Sequence, residues 1–260
     1  MLRRMKRHPV PVAAHFERVV AVSFAFPEEL LRPLVPPPLE LDGFAGMGFV
    51  TVALVWTRGL RPVFFPRFLG QDFFLAGYRI FTRLRDSDGR RLRGLKILRS
   101  ETDKSRMVWS GNLLTHYNYR RANVAEHREG SCWRVRTTLP RSGAQTLDMT
   151  FDLNAEAAAP PPGSPFADWH AARRFAGPMP FTFDHEGGGR FVIIEGRRAD
   201  WTPRPITVKH WEVSLFDEPP FRGTAPVLAN AFTVEDVPYR WERGRVVTPR
   251  HEEEAKPSYD

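Results

Sequence analysis

Phe49-Val50-Thr51-Val52-Ala53-Leu54-Val55-Trp56-Thr57 is the stretch that decides the fold. Val50, Val52, Leu54 and Trp56 alternate with Phe49, Ala53 and Val55, and successive side chains of an extended chain point to opposite faces. Both faces are apolar, so the segment reads as a strand covered on each side. Downstream, residues 78–84 and 92–99 flank Asp86-Ser87-Asp88-Gly89, whose Asp-Gly step accepts the positive φ of a tight reversal; the pair reads as a hairpin. Further strands are expected over residues 19–24, 132–139, 147–153, 190–195 and 206–215.

Helices are few. Pro27, followed by Glu28 and Glu29, starts a short one that Pro36, Pro37 and Pro38 must stop. A second is expected over residues 165–175, with Ser164 as N-cap, Pro165 in the first turn, and Gly177 and Pro178 ending it. At about 1.5 Å per residue it could cover one end of a barrel. A third runs from Thr102 or Asp103 to about Ser110, where Gly111 closes it. Pro160-Pro161-Pro162-Gly163 is a stiff connector between similar strand-rich regions and not a domain boundary. The expectation is therefore an α+β, mainly β fold: one domain over residues 8–247, with flexible ends at 1–7 and 248–260.

Hydrophobic residues make up 42% of the 260, which permits a sizeable core. The longest apolar stretch, residues 19–26, is well short of the roughly 20 residues a membrane span needs, so no membrane association is expected. Arg3, Arg4, Lys6 and Arg7 look like the start of a secretion signal, but His8, Pro9 and Pro11 interrupt the apolar run that should follow. Cys132 is the only cysteine, which suits a reducing compartment, and the expected location is cytoplasmic. The net charge of +8 could attract nucleic acid. Yet the nine cations between Arg83 and Arg106 alternate with Asp86, Asp88, Glu101 and Asp103, and read as a solvated face.

The motifs of several chemistries are missing. There is no Gly-x-Ser-x-Gly elbow or phosphate-binding glycine loop, and Gly43, Gly46 and Gly48 have the wrong spacing for a dinucleotide. None of the eight histidines forms a His-x-His or His-x-x-x-His pair, so neither metal nor cofactor is expected. Asp184-His185-Glu186 could offer ligands, but Gly187-Gly188-Gly189 follows directly and makes a hairpin tip the better reading.

The segment from Arg99 to Asn123 stands apart because polar and charged groups crowd it. Read as a strand over residues 114–121, it puts Thr115, Tyr117, Tyr119 and Arg121 on one face and His116, Asn118 and Arg120 on the other. Neither face can be buried dry, since an unpaired buried polar group costs about 1–3 kcal/mol. One face should therefore meet solvent, a ligand or a dense internal network.

Arg7-His8-Pro9, the run Ala25-Phe26-Pro27-Glu28-Glu29-Leu30-Leu31-Arg32-Pro33-Leu34-Val35-Pro36, and Leu39-Glu40-Leu41-Asp42 together resemble the opening of the YqjF-like family. Gly77-Tyr78-Arg79, the block from Val108-Trp109-Ser110-Gly111 to Tyr119-Arg120-Arg121-Ala122, and Leu228-Ala229-Asn230 with Val237-Pro238-Tyr239-Arg240-Trp241 extend the likeness over about residues 7–245. That family sits with the acetoacetate decarboxylase-like proteins. The resemblance implies a cone-shaped, mainly antiparallel barrel with a few short packed helices and an interior cavity. In the decarboxylases a lysine forms a Schiff base with a keto acid, beside a second lysine that lowers its pKa. The matching positions fall near Tyr119 and Arg120: tyrosine has no amine, and arginine stays protonated to above about pH 12. Lysine is scarce, five of 38 basic residues, and only Lys96, Lys104 and Lys209 lie away from the ends as replacements. Lys209, on a strand with Trp211, is the nearest to plausible.

The leading expectation is a pocket that binds or converts an apolar carboxylate-type small molecule. Arg99 or Arg121 would anchor the anion, His116 would act as acid or base, and Asn118 and Tyr119 would orient the ligand. Two alternatives stand beside it. One is a non-catalytic interaction module, or homo-oligomer, docking through Phe64-Phe65-Pro66-Arg67-Phe68 and Phe73-Phe74. The other is nucleic-acid binding through the basic face.

Overall fold

The computed structural model describes residues 5–86, 88–154, 159–177 and 179–248. Its strands are β1 (Val12–Pro27), β2 (Glu40–Leu41), β3 (Met47–Pro62), β4 (Gln71–Arg85), β5 (Arg91–Thr102), β6 (Tyr119–Arg121), β7 (Asn123–Glu129), β8 (Cys132–Thr138), β9 (Gln145–Asp152), β10 (Phe181–Gly187), β11 (Arg190–Arg198), β12 (Arg204–Pro205), β13 (Thr207–Val213), β14 (Val227–Trp241) and β15 (Arg245–Val247). Three short helices are α1 (Glu28–Leu31), α2 (Ser105–Leu114) and α3 (Trp169–Phe175).

The main sheet runs β14-β1-β3-β4-β5-β10-β11, and β11 pairs again with β14, so the hydrogen-bonded path closes into a barrel. Every pairing around this ring is antiparallel except that of β5 with β10. A second, antiparallel sheet of four strands, β13-β9-β8-β7, packs on the outside. The fold is thus mainly β with a few helices, as expected.

The alternation in β3 divides two cores. Val50, Val52 and Leu54 point outward and join Trp133, Val135, Leu147, Met149 and Phe151 of the second sheet. On the inner face, Ala53 and Val55 pack with Val19, Ala21 and Phe232, while Phe49 meets Phe81, Phe166 and Ala172 under α3. The expected hairpin is β4–β5: Asp86 Oδ1 accepts from the amides of Asp88 and Arg90 at 3.0 Å each, and Gly89 has φ +79°. Ser87, the rest of that turn, lies outside the described residues.

Three local expectations are corrected. Helix α3 begins at Trp169, not Pro165, because Asp168 and not Ser164 caps it, accepting from the Ala171 amide at 2.7 Å. Ser164 instead donates to the Ala229 carbonyl at 2.7 Å; Pro178, the expected stop, lies outside the described residues. Helix α2 runs through Gly111 to Leu114. The glycine is needed there for close approach, since a Cβ would sit 2.3 Å from Tyr119 Cδ2. The expected strand over residues 114–121 shrinks to β6: Thr115 turns back to the Gly111 carbonyl through both its amide and its hydroxyl, each at 2.8 Å, and Asn118 adopts φ +52°. The tail from His251 lies outside the described residues. Among those described, no helix is long and apolar enough to cross a membrane.

Gly111→Ala sets helix propensity against this contact. Alanine favours a helix by up to about 1 kcal/mol, whereas overpacking costs about 1–3 kcal/mol. Since the intruded neighbour is a ring in the wall of the barrel, a net loss of about 1–2 kcal/mol is expected in urea unfolding.

Candidate functional site

Side-chain size across four neighbouring strands creates the site. Ala21 of β1 faces Ala53 of β3, Ala53 faces Gly77 of β4, and Gly77 faces Ser100 of β5. This row of small residues leaves the barrel unfilled, and a cavity of about 300 Å³ remains. Its walls are mostly apolar, with Phe16, Val19, Val55, Phe73, Leu75 and Phe81 among them.

Arg79 breaks that apolar surface. It lies on the inward face of β4, in register with Thr51, which in turn faces Ser23, and both hydroxyl residues also line the cavity. Its guanidinium folds back over Gly77, where a Cβ would lie 2.9 Å from Nε and Nη2. Nε is buried without a hydrogen-bond partner, and none of the ion pairs found among the described residues involves Arg79. Burial lowers its pKa, although an arginine remains cationic under these conditions. Tyr117, Tyr119 and Tyr239 share the cavity wall. Burial pushes all three phenols up, with Arg79 opposing the shift at Tyr119 and Tyr239, so each stays neutral and able to donate. The chamber therefore offers one uncompensated cation and several hydroxyls in an apolar enclosure.

Of the residues expected in the site, the structure brings Tyr119 to the cavity and leaves the others off its wall. Arg99 pairs with Glu218 at 2.5 Å. Asn118 is exposed and donates to the Leu98 carbonyl at 3.1 Å. Arg121 is half-buried with Nη1 unpartnered. His116 is half-buried with Nε2 unpartnered, and burial together with Lys6 lowers its pKa while Glu186 opposes. The break in the strand at Asn118 explains the difference: a two-residue alternation cannot be carried through a left-handed residue. Arg79 was missed, yet the run Leu75, Gly77, Arg79, Phe81 carries one charge on an otherwise small or apolar face, a readable signal.

Among the described residues no lysine lines the cavity. Lys209 is exposed on β13 and pairs with Asp152 at 3.4 Å, and Lys104 pairs with Asp103 at 2.9 Å. Lys96 is half-buried, its pKa lowered by burial, with Asp184 opposing. Arg120 is turned away from the cavity to Glu101, which is fully buried and also accepts from Thr137 at 3.1 Å and Thr146 at 2.7 Å. Of the aromatic run, Phe64, Phe65 and Phe68 are exposed, whereas Phe73 and Phe74 are buried and cannot serve a docking face. The Asp184-His185-Glu186 run leads into a turn in which Gly187, Gly188 and Gly189 all have positive φ, and Glu186 is held by Arg7 at 2.5 Å.

In its fold this ring of seven strands with its second sheet is similar to the acetoacetate decarboxylase-like proteins. The chain superposes on acetoacetate decarboxylase from Legionella pneumophila with a TM-score of 0.63 at 10% identity, covering 93% of this chain and 88% of that one. An acetoacetate decarboxylase-like enzyme from Sphingomonas wittichii RW1 gives 0.59 at 12%, covering 93% and 94%. The enduracididine biosynthesis enzyme MppR complexed with pyruvate gives 0.59 at 11%, covering 92% and 90%. Such identities establish the fold alone. By sequence the chain belongs to the DUF2071 family of uncharacterized conserved proteins (COG2071), whose profile matches residues 13–244. No curated protein matches it.

Asp184 lies two residues beyond the cavity-lining Thr182, with Oδ2 buried and unpartnered. Burial raises its carboxyl from 3.8 to about 7, opposed by the His116 amide and by Lys96. Between those values the folded protein holds a proton that the unfolded chain releases, so this group makes stability fall as pH rises from about 4 to about 7. Asp184→Asn should remove that fall and be the more stable form at pH 8, by on the order of 1–4 kcal/mol. Urea unfolding of both proteins at pH 4.5, 6 and 8 reads the difference directly.

Proposed function

We propose that the barrel binds an apolar small molecule bearing a carboxylate, with Arg79 as the anion anchor and Tyr117, Tyr119 and Tyr239 orienting it. The observation that carries this is Arg79 itself, a cation on the cavity wall with no carboxylate partner among the described residues. Leaving a buried charge unpaired is costly, so a chamber keeping one is suited to a ligand that neutralises it. A guanidinium meets a carboxylate through two parallel N–H···O bonds, and the apolar walls accept a hydrocarbon chain. A volume of about 300 Å³ suits a compact ligand. The pyruvate named with MppR supports a carboxylate in this fold. The resemblance puts the Schiff-base lysine positions of the decarboxylases near Tyr119 and Arg120, neither of which offers a usable amine, and among the described residues no lysine lines the cavity; both support a ligand held without an imine.

Isothermal titration of octanoate tests the anchor. The wild type should bind, and Arg79→Met should bind at least tenfold more weakly, since a hydrogen bond to a charged group contributes about 1.5–3 kcal/mol. The same substitution should raise the melting temperature, because it relieves an unpaired buried charge. Equal octanoate affinity in the two proteins would remove Arg79 from the site. Borohydride with 2-oxohexanoate should leave the protein mass unchanged; a labelled lysine would restore imine chemistry.

A further inference from the structure

A groove of about 650 Å³ lies against the cavity and shares Arg61, Arg198 and Tyr239 with its wall. Six arginines line it, namely Arg58, Arg61, Arg67, Arg197, Arg198 and Arg240, together with His15 and no carboxylate. Four carboxylates reach three of these arginines from outside the groove, and Asp236 meets His15 at 3.0 Å. Glu17 and Asp72 hold Arg58 at 2.8 and 3.0 Å, Glu195 holds Arg197 at 3.2 Å, and Glu242 holds Arg240 at 3.0 Å. Arg61, Arg67 and Arg198 take part in none of the ion pairs found among the described residues. Arg61 is instead fixed by donating to the carbonyls of Phe65 at 3.1 Å and Gly59 at 3.0 Å. Arg198 lies over the Trp201 ring at 4.3 Å. Two of the three free cations are thus held in place by groups that leave their charge unneutralised, and both border the apolar chamber.

We propose that this groove is a phosphate subsite of the cavity, and that the ligand is a phosphorylated amphiphile whose apolar, carboxylate-bearing part enters the barrel and meets Arg79 while its phosphate rests among Arg61, Arg67 and Arg198. The inference rests on the cavity being a ligand site and adds the class of ligand. A phosphate carries up to two negative charges and three terminal oxygens, so it can satisfy several guanidiniums at once, as a single carboxylate cannot. Inside the chamber Arg79 offsets a single negative charge, whereas the groove beside it offers three guanidiniums without ion pairs. The shared chemistry is a phosphate monoester or diester on a hydrocarbon, whether dissolved or part of a lipid surface.

The experiment compares octyl phosphate with octanoate by isothermal titration, using the wild type and an Arg67→Gln variant. The Arg67 side chain is exposed and does not line the chamber. The variant should lose at least tenfold in octyl phosphate affinity while octanoate affinity changes less than twofold. Sedimentation with phosphatidylglycerol vesicles separates the sources. Retention that the variant loses assigns the phosphate to a lipid headgroup, and binding of octyl phosphate without retention assigns it to a dissolved ester. Unchanged octyl phosphate affinity in the variant, with octanoate still bound, overturns the phosphate subsite alone. Failure of the wild type to bind either compound overturns the cavity reading with it.

Discussion

Glu101 is the buried group on which the arrangement of the site depends. It is fully removed from solvent at the end of β5, and its oxygens are taken by Arg120 of β6, Thr137 of β8 and Thr146 of β9. One carboxylate therefore ties the barrel to the outer sheet. Removing one partner of a buried ion pair typically costs about 3–5 kcal/mol, so the corner is firmly specified. Because neighbouring residues of a strand face opposite ways, holding Arg120 toward Glu101 sends Tyr119 into the barrel. The Tyr119 ring then lies on Gly111 and fixes how closely α2 approaches.

The chamber exists because β1, β3, β4 and β5 place Ala21, Ala53, Gly77 and Ser100 side by side, where larger residues would fill the barrel. Folding gains little from such a void, since its lining forfeits dispersion contacts, and it gains nothing from a cation without a partner. Stability is supplied elsewhere, by the packed layer between the outer face of the barrel and the second sheet, which holds Trp133, Phe151 and Phe24. Two layers with separate tasks let one sheet be dense on one side and hollow on the other.

Much of the fold was legible because β3 and β4 carry two-residue alternation along most of their length and Asp86 closes the β4–β5 hairpin with its own side chain. The site was less so. The sequence points to Tyr119, but the polar density around it has the look of one strand, and the left-handed Asn118 and the Thr115 turn are set by contacts with Leu98 and Gly111 that no local pattern announces. Gly111 looked like a helix stop because its reason, a ring eight residues on, is tertiary. Arg79 could have been seen from its place on an inward face. Its lack of a partner depends on where every acidic residue ends up, and that is a property of the closed barrel.

The neighbours of β1 have a bearing on how the molecule assembles. This strand lies between β3 and β14, pairing Val12 with both Pro62 and Trp241, and so joins segments roughly 180 residues apart. Only β11 and β14 complete the circle. During synthesis the inner faces of β1, β3 and β4 must stay uncovered until the last long strand has left the ribosome, a window in which apolar edges are open to wrong pairings. Glu40 and Leu41 of β2 pair with Arg83 and Thr82 of β4, so a short strand carrying a charge blunts that edge while the ring is still unfinished.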